Sequence, residues 1–110
     1  MSGRETVSIE EHIKSLAIKR AVTLTLHAQQ EMLEEDVSIA EMLSCLKECT
    51  LIENYPDHRR GSCCLVGGRT FKGRFLHVVC TTERPELIII TVYEPKPPKW
   101  ETPFERGRRL

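Results

Sequence analysis

The sequence predicts an α+β domain in which N-terminal helices pack on one face of a four-stranded, mainly antiparallel sheet, followed by an extended proline-rich tail. Three observations carry this. Two Ser-x-x-Glu boxes, at Ser8 to Glu11 and Ser38 to Glu41, each open a segment whose apolar residues recur every three or four positions, the signature of a capped amphipathic helix. From Cys49 onward β-branched residues take over and the apolar period shortens to two. The later segments are separated by Gly, Pro and Asp clusters at hairpin distances, which fits neighbouring antiparallel strands. Residues 1–94 are therefore expected to form one domain and residues 95–110 the tail.

Each element follows in order. Ile9, Ile13 and Leu16 form one stripe of a first helix, which Lys19 and Arg20 close with charges suited to a helix C-terminus. Val22, Leu24 and Leu26 alternate with Thr23 and Thr25, predicting a short strand with Thr25 or a neighbour as cap of the next helix. His27 to Glu35 holds good helix formers and no β-branched residue, but only Ala28, Met32 and Leu33 are apolar, so Gln29, Gln30, Glu31, Glu34 and Glu35 are expected to face water. Ile39, Met42, Leu43 and Leu46 give a third helix. Leu51 to Tyr55 reads as a strand ended by Pro56, Ser62 to Val66 as a second, and Gly67-Gly68 as the turn after it. Strands over about Lys72–Thr82 and Glu86–Tyr93 complete the sheet, joined by Glu83-Arg84-Pro85. Beyond Tyr93 the prolines exclude a helix or sheet interior, leaving Trp100 and Phe104 to pin the tail to the body or to a partner.

Size and composition bound the function classes. At 110 residues the chain suits a single domain that buries about two-thirds of its unfolded surface. The run from Leu87 to Val92 is too short to span a bilayer, and Met1 to Thr6 has no apolar leader, so no membrane association and a cytoplasmic location are expected. Five cysteines with no Cys-x-x-Cys pair are expected to be small buried hydrophobes, with no metal site and no cofactor. Net charge is zero, yet residues 1–55 hold five Lys/Arg against ten Asp/Glu and residues 56–110 eleven against six, so the second half is the basic one. Nucleotide-binding loops, dinucleotide fingerprints and the common hydrolase and zinc-protease motifs are absent.

Candidate chemistry lies in the last two strands. Strand alternation groups Leu76, Val78 and Cys80 with Ile88, Ile90 and Val92 toward the core, and places His77, Thr91 and Tyr93 together on the opposite face. An imidazole beside two hydroxyls suits proton exchange and ligand orientation at neutral pH. Arg74 is three residues from His77, so a regular strand turns the two to opposite faces. His27, at a helix start, offers a second imidazole; Glu53 and Tyr55 alternate on one face of an earlier strand. Arg59 and Arg60 sit in a charged loop where guanidinium forks match phosphate oxygens.

These residues also carry a resemblance. His27-Ala-x-x-x-Met32, Asp36-Val-Ser38, Ile52-Glu-x-Tyr-Pro56, Gly73-Arg-x-Leu-His-Val-Val79 and Ile90-Thr-Val-Tyr-x-Pro95 resemble a bacterial family of small proteins known as a domain of unknown function, itself similar to RelE/barnase-type toxins. The resemblance implies a metal-independent endoribonuclease in which an RNA 2′-hydroxyl attacks its own phosphate. His77 would be base or acid, Arg74 the phosphate clamp, Tyr93 an orienting or acidic hydroxyl and His27 an assistant, with RNA as substrate and an antitoxin chain as partner. The helix after His27 departs from the family's basic pattern, since its carboxylates repel phosphate. Substrate contacts then fall to Arg59, Arg60, Arg106, Arg108 and Arg109, or nuclease activity is lost. The alternative is a non-catalytic module that binds a protein or small ligand on the same face.

Overall fold

The structure, a computed structural model, describes residues 8–59 and 61–107. Helix α1 (Ile9–Ile18) opens with the complete capping box: Glu11 N–H donates to Ser8 Oγ at 3.0 Å and Ser8 N–H to Glu11 Oε1 at 3.2 Å. It buries Ile13, Leu16 and Ala17 and ends at Arg20, whose φ of 59° turns the chain into β1 (Val22–Leu24). Thr25 then caps α2 (Leu26–Glu34), accepting from Ala28 N–H at 3.1 Å. Ser38 caps α3 (Ile39–Lys47) in the same way. The reciprocal half of that second box is not made, because Glu41 is drawn inward to Thr70 and Arg74.

Strands β2 (Thr50–Tyr55), β3 (Cys63–Arg69), β4 (Phe75–Thr81) and β5 (Leu87–Tyr93) form the expected antiparallel meander. The sheet nonetheless has five strands where four were expected, in the order β1-β5-β4-β3-β2. The extra member is β1, which runs parallel to β5 with Val22 opposite Leu87 and Leu24 opposite Ile89. Its partner lies more than sixty residues away, so no local signal announces the pairing. The three helices and this mixed sheet bury one core, from Ile13, Ala28, Met32, Met42 and Leu46 on the helices to Leu76, Val78, Leu87, Ile89 and Val92 on the strands.

Two local expectations are corrected. Gly67-Gly68 is no turn: both residues lie within β3, and a Cβ on Gly68 would stand 2.4 Å from the Cys45 carbonyl, so glycine there lets α3 approach the sheet. The turn falls at Thr70 to Gly73, where Thr70 Oγ1 accepts from Lys72 N–H and Arg74 N–H and Gly73 takes a φ of 85°. In β5 the pairing jumps from Thr91 opposite Val79 to Ile89 opposite Cys80, leaving Ile90 as an extra residue. This bulge reverses the alternation below it. Leu87 and Ile89 enter the core with Val92, while Ile88 and Ile90 are only half-buried.

The acidic face of α2 is also not simply wet. Glu31 Oε1 accepts from Val92 N–H at 2.9 Å and Glu35 Oε1 from Glu94 N–H at 2.7 Å. Four residues of helix rise about 6 Å and two residues of strand about 6.6 Å, so i,i+4 carboxylates match alternate strand amides. They close the edge of β5 beyond the end of β1. On the far edge, Glu10 of α1 does the same for Leu51 N–H at 2.7 Å.

The chain after Tyr93 folds back. Trp100–Thr102 (β6) and Glu105–Arg106 (β7) form a two-stranded hairpin that docks on the sheet face opposite the helices, with Trp100 buried to 2% exposure. The extended tail of the sequence reading is therefore an ordered cover through residue 107.

Candidate functional site on the tail-covered sheet face

The face away from the helices carries His77 and Tyr93, which pair directly across β4 and β5, with Glu53 and Tyr55 on β2. The bulge makes this grouping: without it Tyr93 and Thr91 would share a face with Leu87 and Ile89. Thr91 lies half-buried on the same face.

A directional hydrogen-bond chain holds the hairpin here. Trp100 Nε1–H donates to the Tyr93 hydroxyl at 3.0 Å, so Tyr93 can pass its own proton toward His77 Nδ1 at 3.0 Å, while His77 Nε2 lies 2.6 Å from the Pro103 carbonyl. Only a neutral imidazole with its proton on Nε2 satisfies every member of the chain, because the Pro103 oxygen can only accept. Burial agrees: His77 has no exposed surface, and desolvation holds its pKa below the usual 6.5. Burial also raises Tyr93 above its ordinary value. The His77 ring stands edge-on to Trp100 and Tyr93, with centroids 4.4 Å and 5.2 Å away.

Beside this chain sits a charged cluster. Arg106 donates through Nε and Nη2 to both oxygens of Glu53 at 2.8 Å, a bidentate fork, and lies 4.8 Å over the Trp100 ring. The Tyr55 hydroxyl donates to the same carboxylate. The Arg106 hydrogen bonds, opposed by partial burial and aided by Tyr55, hold the Glu53 carboxyl at about 2, while burial and the Glu53 bond push Tyr55 to about 12. Lys99 stands over the Tyr93 ring at 5.3 Å. Glu53 and Arg106 keep 26% and 50% of their side-chain surface exposed, so this cluster, unlike His77, meets solvent.

The other predicted residues lie elsewhere. Arg74 is on the helix side, where Nη2 donates to the Glu35 carbonyl at 2.7 Å and Nη1 to the Asp36 carbonyl at 2.9 Å, with Glu41 and Glu94 carboxylates at 3.3 and 3.4 Å. It ties the end of α2 to α3 and β5, and one phosphate cannot touch both it and His77. His27 is exposed at the start of α2 and faces Glu31 at 3.2 Å. Arg59 is exposed in the β2–β3 loop, and Arg60, Arg108 and Arg109 lie outside the described residues. Trp100 and Pro103, central to the site, were not read from the sequence as site residues. The available signal was a tryptophan in a proline-rich stretch that had no other reason to carry one.

All five cysteines are buried thiols. Burial pushes Cys45 to about 12 and Cys49 to about 11; a hydrogen bond with Cys64, then burial, raises Cys80 well above its usual value. Those three thiols, so hard to ionise, are poor nucleophiles and pack as small apolar residues.

Fold and face together define an α+β domain whose polar sheet surface is occupied by its own C-terminal hairpin. Residues 24–94 match the family of a domain of unknown function, DUF4258, and the chain belongs to that family. The match ends where the hairpin segment begins. No curated protein and no solved structure matches the chain. Among the described residues, no helix is long and apolar enough to cross a membrane.

Proposed function

We propose that the chain is a metal-independent endoribonuclease of RelE-like toxin type, working from the tail-covered face and neutralised by an antitoxin protein. The observation that supports this reading is the convergence of a carboxylate, a guanidinium and a phenol, Glu53, Arg106 and Tyr55, beside His77 and Tyr93. Transesterification by an RNA 2′-hydroxyl needs a base, a cation for the charged phosphorane and an acid for the leaving 5′-oxygen. An incoming phosphate competes for the Arg106 fork. Once the fork turns to the phosphate, Glu53 is released from the contact that depresses its pKa and becomes a stronger base for the 2′-hydroxyl. In this reading Tyr55, its proton retained at neutral pH, protonates the leaving oxygen. His77 and Tyr93 hold the hairpin that carries Arg106 and Lys99, and in this reading the clamp expected at Arg74 passes to Arg106.

The test is induced expression in a bacterial host together with cleavage of a labelled RNA by the purified chain in the presence of a chelator. Growth arrest and cleavage, both lost in Glu53→Gln and Arg106→Ala, are expected. Intact RNA and normal growth with wild type would remove the enzyme reading. A second reading, a non-catalytic binding module, is favoured by one specific observation: His77 is sealed, with both ring nitrogens engaged by Tyr93 and Pro103. It expects the hairpin to behave as a displaceable ligand and RNA to remain whole.

A further inference from the structure

The sheet edges are treated unequally. Leu51 N–H on the β2 edge and Val92 and Glu94 N–H on the upper β5 edge each receive a carboxylate from a helix. From the described residues, the outer edge of β1 receives almost nothing. Leu87 N–H donates to the Ala21 carbonyl and Thr25 N–H to the Ile89 carbonyl, so residues 21, 23 and 25 face β5 and the backbone groups of Val22 and Leu24 point away from the sheet. Among the described residues, the Leu24 carbonyl alone of these has a partner, Gln29 Nε2 at a long 3.4 Å. Bare strand edges are pairing templates that folded proteins ordinarily block.

Beside this edge lies a groove of about 340 Å³ lined by the apolar Leu24, Met32, Leu33, Val37 and Ile39 and by the polar Gln29 and Ser38. Its rim exposes large apolar side chains, Leu33 at 83% and Ile39 at 56%, with Leu26 at 70% nearby. Exposed carboxylates Glu34 and Asp36 flank Leu33 and Val37 at one end, while exposed Lys19 and Arg20 precede β1 at the other.

We propose that the β1 edge and this groove dock an extended segment of another protein as a sixth strand, with alternate apolar side chains in the groove and Lys or Arg at the end that reaches Glu34 and Asp36. Main-chain bonding to Val22 and Leu24 supplies the register, the Leu33–Ile39 groove the apolar anchor, and the charge gradient along the edge the direction. The site is separate from the tail-covered face and does not depend on the ribonuclease reading.

The probe is a fluorescent peptide of about seven residues, Val or Leu alternating with Thr and ending in two Lys, read by anisotropy against the full chain. Saturable binding is expected, weakened at least about tenfold, or about 1.4 kcal/mol, when alternate peptide amides are N-methylated. Leu33→Glu, on a side chain outside the core, and Val22→Pro, which removes an outward N–H, should each weaken binding comparably while leaving the far-UV circular dichroism unchanged. The proposal is overturned if an all-polar peptide of equal charge binds as well, if N-methylation has no effect, if Leu33→Glu binds like wild type, or if the chain alone sediments as a dimer that Leu33→Glu dissolves.

Discussion

The two faces of one sheet are built by opposite rules. Toward the helices, Leu76, Val78, Leu87, Ile89 and Val92 meet Ile13, Met32, Met42 and Leu46 in an apolar core, with the buried Glu41 carboxylate at its margin satisfied by Thr70 and Arg74. Toward the tail, the cover is a hairpin held by a polar relay through Trp100, Tyr93, His77 and Pro103 and by the Glu53–Arg106 fork. An apolar face gains stability from area alone and is indifferent to pH, whereas a polar relay is directional and depends on protonation. The helix face therefore draws its stability chiefly from apolar burial, and the hold of the hairpin on the tail face depends on directional polar bonds.

Substitutions that break this contrast should separate by magnitude. Arg74→Ala strands the fully buried Glu41 carboxylate, and a loss of about 3–5 kcal/mol in denaturant-measured stability is expected. The whole domain should respond, since Arg74 ties α2, α3 and β5 together. Trp100→Ala removes the largest side chain under the hairpin at a cost of about 3 kcal/mol, but the loss should stay local. Limited proteolysis should then cut within residues 95–107 while the thermal transition of the core moves little.

The adjacent glycines report the same difference more finely. A Cβ on Gly68 meets the Cys45 backbone carbonyl at 2.4 Å, which cannot yield without moving α3, so Gly68→Ala should cost about 1–3 kcal/mol by thermal unfolding. A Cβ on Gly67 meets the Phe75 ring at 2.6 Å and Ile52 Cδ1 at 2.8 Å, side-chain atoms on the tail side that can turn aside, so Gly67→Ala should cost less.

Acid should loosen the tail face. His77 is held neutral below its ordinary 6.5, so between the folded and unfolded values the unfolded chain binds more protons. Stability from this group is complete above pH about 6.5 and declines as the pH falls below it. Glu53, depressed from 4.5 to about 2, adds a second loss between those values. Tryptophan fluorescence should register the hairpin loosening on acidification, and His77→Phe should remove the step near neutrality while leaving the lower one. Smallest of all, Leu33→Glu should change stability by no more than about 0.5 kcal/mol, because its side chain lies outside the core.

Much of the fold was legible because it is local. Ser8, Thr25 and Ser38 cap the helices they were expected to cap, and the meander runs in the expected order. Three of the failures share a cause. The pairing of β1 with β5, the bulge at Ile90 and the docking of Trp100 depend on residues far apart in the chain, and period-two alternation says nothing of where it slips. The grouping of His77 with Tyr93 was legible as a cross-strand neighbourhood, although only the bulge reconciles it with a core containing Leu87 and Ile89. Glu53 and Tyr55 were visible as a pair, but Arg106, which completes their cluster, is fifty-three residues from Glu53.

The sequence by itself determined the class of fold, the helix starts, the approximate places of the five sheet strands and the opposition of Arg74 to His77, since caps, periods and alternation act over a few residues. Only the tertiary structure decided that Arg74 staples helices, that His77 lies sealed under the chain's own hairpin, and that Glu53, Tyr55 and Arg106 meet in one cluster that reaches solvent. Burial and hydrogen-bond partnership are properties of the assembled chain, and they decide whether an ionisable group is a clamp, a relay or a reactant.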